Sequence, residues 1–137
     1  MERIKVLLVD DNKVVLEFTN AAFSEQEDIE VIAMAHNGIE AIEKNAFLSP
    51  DVILMDVEMP ALSGIDATRI IKRHYPKVRI VMYSSMLEDE ETISQARLFG
   101  ASGFVKKPAS AADLGEAIRN AYWQKSTDAA TRLEEAS

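Results

Sequence analysis

The stretch VILMDVEMPALSG, residues 52–64, decides how this chain is read. Val52, Ile53, Leu54 and Met55 form an apolar run that reads as a buried strand. It leads directly into Asp56 and, two residues on, Glu58. A carboxylate at the end of a buried strand is costly unless a cation or hydrogen-bond donors meet it. Asp56 therefore needs a partner or carries chemistry.

Outward from this run, strand-like segments alternate with helical ones. Ile4 to Val9 reads as a first strand and ends in Asp10-Asp11. Asn12 is a cap for the next helix, where Val15, Phe18 and Ala22 are expected on the buried face. Ile29 to Ala35 is a second strand. Asn37-Gly38 marks a turn, and Ile39, Ile42 and Ala46 predict the buried face of a short helix that breaks at Ser49-Pro50. After the 52–55 strand, Pro60 and Gly64 bound a loop, and Ile65 to Tyr75 reads as a helix stopping before Pro76. Arg79 to Tyr83 is a fourth strand. LEDEETISQARLFG opens a fourth helix with acids in its first turn, where the helix dipole favours them; Gly100 ends it. Gly103 to Lys106 is a short fifth strand, and Leu114, Ile118 and Ala121 mark a fifth helix.

Five such units predict an α/β fold: a doubly wound (βα)5 sheet, all parallel, covered on both faces. With right-handed crossovers the natural strand order is the flavodoxin-like 2-1-3-4-5. One domain is expected over residues 1–122. Residues 123–137 read as a helix end and polar tail, with no output domain and no helix-turn-helix.

Composition narrows the function. The 137 residues are 47% hydrophobic and 28% charged, ordinary for a globular domain. A net charge of −8 without a basic block weighs against nucleic-acid binding or adhesion to an anionic membrane. With no cysteine, disulfides, zinc thiolates and cysteine nucleophiles are excluded. No apolar run approaches the roughly 18 residues of a membrane span. The first apolar run is too short for a signal-peptide core, so a cytoplasmic location is expected.

In an open α/β sheet, ligands bind beyond the carboxyl ends of the strands, at the topological switch point. Asp10, Asp11 and Asp56 are expected there, with Ser84-Ser85 from the fourth strand and Lys106-Lys107-Pro108 from the fifth. Three close carboxylates repel one another unless a cation intervenes. An all-oxygen ligand set favours a hard ion, Mg²⁺ above all. The lysine offers a second positive charge to an anion, and the hydroxyl a hydrogen bond. The middle carboxylate, Asp56, can then be a nucleophile that accepts a phosphoryl group.

These elements, VLLVDDN, ILMDVEMPALSG, IVMYSS and GASGFVKKP, resemble those of a two-component response-regulator receiver domain, over residues 1 to about 122. DVEMP and VMYSS are similar in particular to receivers of chemotaxis methylesterases. The resemblance implies that Asp56 is the phosphoacceptor, supplied by a histidine kinase or phosphotransfer protein. It implies that Asp11 binds Mg²⁺ directly, Asp10 mostly through a water, and Glu58 through its backbone carbonyl. Lys107, before a cis Pro108, would pair with the phosphoryl group, Ser84 would be the switch hydroxyl and Phe104 the switch aromatic. Glu58 would also tune phosphoryl lifetime. The output surface would be the fourth helix, fifth strand and fifth helix, contacting a downstream protein or a second copy in a phosphorylation-dependent dimer. Self-phosphorylation and self-hydrolysis would make it a switch rather than an enzyme in the usual sense.

Two departures stand out: serine replaces the family's usual threonine, and Phe104 has no phenolic hydroxyl. Lys106, His36 and His74 read as surface residues, and Trp123 either packs back or marks an interface. A methylesterase domain would need a G-x-S-x-G motif, which is absent, so an excised receiver of such a regulator is one alternative. A small Mg²⁺-dependent aspartyl-phosphate hydrolase would show D-x-D-x-[TV], and the adjacent Asp10-Asp11 do not fit it. A flavodoxin-like electron carrier would need a hydroxyl-rich phosphate loop where DDNKVVLE stands.

Overall fold

A computed structural model describes the backbone of residues 2–136 and the side chains of residues 2–124. The elements alternate strictly: β1 (Ile4–Val9), α1 (Lys13–Ser24), β2 (Ile29–Ala35), α2 (Gly38–Leu48), β3 (Val52–Met55), α3 (Gly64–His74), β4 (Arg79–Ser84), α4 (Glu90–Leu98), β5 (Gly103–Lys106) and α5 (Ala111–Ala136). The expected polar tail falls almost wholly outside the residues whose side chains are described. Trp123 itself is exposed, its ring edge-on to Tyr122.

The five strands are parallel in the order β2-β1-β3-β4-β5, as the sequence predicts. Alternation along each strand feeds two cores. Leu7, Val9, Ile53, Met55, Ile80 and Met82 lie in one cluster with Ala41, Ala67, Ile71 and Ala96 of α2, α3 and α4. Val6, Leu8, Val52, Leu54, Val81 and Tyr83 lie in the other, with Leu16 and Phe23 of α1 and Leu114 and Ile118 of α5. Strand β3 is buried on both faces, which is why it reads as an unbroken apolar run. Burying a side chain the size of Ile53 contributes about 1.5–3 kcal/mol.

Helix starts follow the expected chemistry. Asn12, Asn37, Ser63 and Asp89 each turn a side-chain oxygen onto backbone N–H groups of the first turn of α1, α2, α3 and α4. After α4, Gly100 takes a φ of 113°, a left-handed conformation that favours glycine.

The helix faces required correction at two places. In α1, Phe18 is 58% exposed, and the buried stripe is Leu16, Thr19, Ala22 and Phe23. In α2, Ile39 and Ala46 face solvent while Ala41 and Asn45 are buried; only Ile42 packs inward as expected. Both helices carry apolar residues around more than one side, so period alone did not select the face. The fit to the sheet did.

Candidate functional site

Sheet register determines what meets at the carboxyl edge. Val9 is paired with Met55, so Asp10 and Asp56 leave adjacent strands side by side, and the Asp56 N–H donates to the Val9 carbonyl at 3.0 Å. Ser84 is paired with Lys106, and the Lys107 N–H donates to the Ser84 carbonyl at 3.1 Å. Asp10, Asp56, Ser84 and Lys107 thus share one edge, with Asp11 next to Asp10 in the chain.

Asp10, Asp11 and Asp56 each bring a carboxylate oxygen within 4.8 Å of the others. Asp10 and Asp56 are buried, at 3% and 9% exposure, while Asp11 is exposed. The Lys107 Nζ lies 2.5 Å from Asp10 Oδ2 and 3.3 Å from Asp56 Oδ2, bridging the buried pair. The Lys107–Pro108 peptide is cis, as expected. The Asn12 N–H donates to Asp10 Oδ1 at 2.9 Å, so Asp10 is held through both oxygens.

Burial pushes the Asp56 carboxyl above its ordinary pKa; the Asp10 charge acts in the same direction, and Lys107 opposes both. Burial disfavours the Lys107 ammonium, but its hydrogen bond to Asp10 and the charges of Asp56 and Asp10 outweigh that, and its pKa is raised. Lys107 therefore stays charged. One ammonium facing three carboxylates leaves the cluster negative. Oxygen-only donors, close spacing and surplus negative charge fit a hard divalent cation.

The remaining expected residues lie around this centre. Ser84 is 1% exposed and its Oγ accepts a hydrogen bond from the Met86 N–H at 3.1 Å. Phe104 is half-buried on β5, with the Arg97 guanidinium 5.1 Å from its ring centre. Glu58 is exposed in the connection between β3 and α3. His36 sits outside the cluster against Glu40, and His74 is exposed at the end of α3. Lys106 points outward to Glu88.

Three contributors were not anticipated. Gly64 closes the β3–α3 connection onto the strand end: its N–H donates to the Val57 carbonyl at 2.7 Å, and a Cβ there would lie 1.9 Å from the Asp56 carbonyl oxygen. Tyr83 places its ring 5.4 Å from the Lys107 Nζ, and its hydroxyl accepts from the Ala109 N–H at 3.3 Å. Asn12 contributes its backbone to Asp10 as well as its side chain to α1. Tyr83 and Asn12 adjoin expected site residues, which was the only available signal.

The chain matches the family model described as the response regulator receiver domain over residues 6–119. It is 40% identical over 119 residues to the response regulator protein VraR of Staphylococcus saprophyticus, covering 87% of this chain and 56% of that protein. The chain thus spans about half the length of that curated relative. Its fold is similar to the response regulator domain of Thermotoga maritima CheB, with a TM-score of 0.83 and 37% identity, covering 88% of this chain and 97% of that one. It is also similar to a chain of the CheX-CheY-BeF3-Mg²⁺ complex of Borrelia burgdorferi, at TM-score 0.79 and 25% identity over 85% of this chain and 87% of that one. By fold, by motif and by these similarities, the chain belongs to the response-regulator receiver family of two-component signalling systems.

Proposed function

We propose that Asp56 accepts a phosphoryl group from a phosphohistidine on a partner histidine kinase or phosphotransfer protein. The observation that carries this reading is the buried Asp10–Lys107–Asp56 bridge, with Asp11 beside it, at the switch point of the sheet. An Asp56 carboxylate oxygen attacks phosphorus. The phosphorus–nitrogen bond of the donor breaks, and its electron pair stays on the imidazole nitrogen, which takes up a proton. Asp56 must be ionised to attack, and Lys107 favours that state against burial. Asp10, Asp11, Asp56 and the Glu58 carbonyl would hold Mg²⁺, with Asp10 acting mostly through a water. The ion supplies positive charge that stabilises the transferring phosphoryl oxygens. Lys107 turns its ammonium from the carboxylates to a phosphoryl oxygen and keeps the adduct oriented.

The switch then rests on two residues. Ser84 donates its hydroxyl to the phosphoryl group, giving up the Met86 N–H, and Phe104 fills the space this opens. The rearranged face of α4, β5 and α5 engages a downstream protein or a second copy. Residues 1–122 act as the receiver unit in the cytoplasm, and residues 126–137 take no part in phosphoryl transfer. Incubation with acetyl phosphate, read by intact-protein mass spectrometry, tests the core of this proposal. One phosphoryl adduct is expected in Mg²⁺, and none in EDTA or in Asp56→Asn. Equal labelling in EDTA, or labelling that survives Asp56→Asn, overturns it.

A further inference from the structure

The opposite, amino-terminal edge of the sheet carries a second feature. A groove of about 290 Å³ runs between the ends of α2 and α3, lined by Asn45, Ser49, Pro50 and residues 74–78. Its lining offers apolar surface: Pro50, Pro76 and Val78 line it together with Tyr75, which is 41% exposed. Asn45 lies in its wall, only 2% exposed, and its Nδ2 has no hydrogen-bond partner among the described residues. A buried amide donor left unpaired is costly, because it has given up water without gaining an acceptor. A carbonyl entering the groove removes that penalty after a small turn of the side chain.

Charge selects the occupant further. The chain as a whole is acidic, at −8, yet the last turn of α3 is basic, with Lys72, Arg73 and His74, and Lys77 lies beyond them on the groove lining. Lys72 is occupied in closing the helix end, donating to the carbonyls of Pro76 and Val78 at 2.6 and 2.7 Å. Arg73, His74 and Lys77 are exposed. We infer that this groove docks an acidic peptide segment of a partner protein, with an aromatic side chain seated between Tyr75 and Pro50 and a backbone carbonyl accepting from Asn45. Because the groove lies across the sheet from Asp56, docking is independent of phosphorylation. It tethers the chain to a partner in either signalling state.

Titration of ¹⁵N-labelled protein with N-acetyl-Glu-Phe-Glu amide tests this by NMR. The Asn45 side-chain amide and the backbone amides of residues 74–78 (Pro76 excepted) are expected to shift. The charge-reversed peptide N-acetyl-Lys-Phe-Lys amide and the ring-less N-acetyl-Glu-Gly-Glu amide should each bind at least fivefold more weakly. Lys77→Glu, a surface change that leaves the fold intact, should weaken the acidic aromatic peptide at least fivefold. Binding should differ less than twofold with and without acetyl phosphate and Mg²⁺. Equal binding of the three peptides, shifts confined to other faces, or no effect of Lys77→Glu overturns the inference. Shifts of the Asn45 amide with protein concentration alone would assign the groove to a second copy instead and overturn it too.

Discussion

Gly64→Ala separates two opposite expectations. Gly64 opens α3 with an ordinary negative φ, so helix propensity alone favours alanine by about 1 kcal/mol. Contact geometry says the reverse. The added Cβ would sit 1.9 Å from the Asp56 carbonyl oxygen and 2.9 Å from its carbon, both backbone atoms that cannot swing aside. An ordinary carbon–oxygen contact is about 3.3 Å, so the gap must open by roughly 1.4 Å. Overpacking of this kind costs about 1–3 kcal/mol, and the backbone neighbours place Gly64→Ala at the upper end. The displaced carbonyl belongs to the phosphoacceptor itself, and a misplacement of about 1 Å can cost about a hundredfold in rate. At least a tenfold loss in the rate of labelling by acetyl phosphate is expected. Gly103→Ala is the control, since its Cβ would meet Val81 Cγ2 at 3.5 Å, an ordinary contact. Its stability should change by less than about 1 kcal/mol. Urea unfolding measures both variants. A Gly64→Ala midpoint equal to wild type, with unchanged labelling, would refute the steric reasoning.

Further perturbations address the rest of the molecule. Arg119 pairs with both oxygens of Asp28, at 2.6 and 3.0 Å, and holds the Asp28 carboxyl below its ordinary pKa. Arg119→Ala should cost about 1 kcal/mol at neutral pH, since the pair is partly exposed. Because the folded-state pKa is depressed, that contribution is present above the unfolded value of about 3.9 and disappears as pH falls through the lower folded value. A wild-type advantage that persists undiminished at pH 2 would contradict the linkage. Ser84→Ala should still accept phosphate but lose most of the NMR shift changes on α4 that phosphorylation produces; full changes in the variant would remove Ser84 from the switch. Glu58→Gln should lengthen the phosphoryl lifetime at least about threefold, roughly 0.65 kcal/mol in the barrier, by removing a carboxylate that repels the adduct and orients the attacking water. Equal or faster decay in excess Mg²⁺ would argue against that role.

The strands and the acidic centre were legible because each has a local signature. The unbroken apolar run 52–55 has the length and pattern of a doubly covered strand. Once strand order is known, the residues just past the ends of neighbouring strands must share an edge. Asp10, Asp56 and Lys107 meet for that reason. The faces of α1 and α2 were not legible. Val14, Val15, Leu16 and Phe18 offer several apolar stripes, and the one chosen by the sheet includes the polar Thr19. Asn45 was invisible for a related reason, since nothing in a sequence marks a buried asparagine with an idle donor. The fit of Gly64 against Asp56 depends on two backbones meeting within a connection, which period and composition do not encode.

Whether Asp56 itself carries the phosphoryl group is read most directly by chemical trapping. Acyl phosphates are reduced by borohydride, so treating the labelled protein and mapping its peptides reads the position directly. Homoserine is expected at position 56, formed only after labelling in Mg²⁺. Homoserine at position 10 or 11, or a phosphoryl group found on His36 or His74, would contradict the assignment to Asp56.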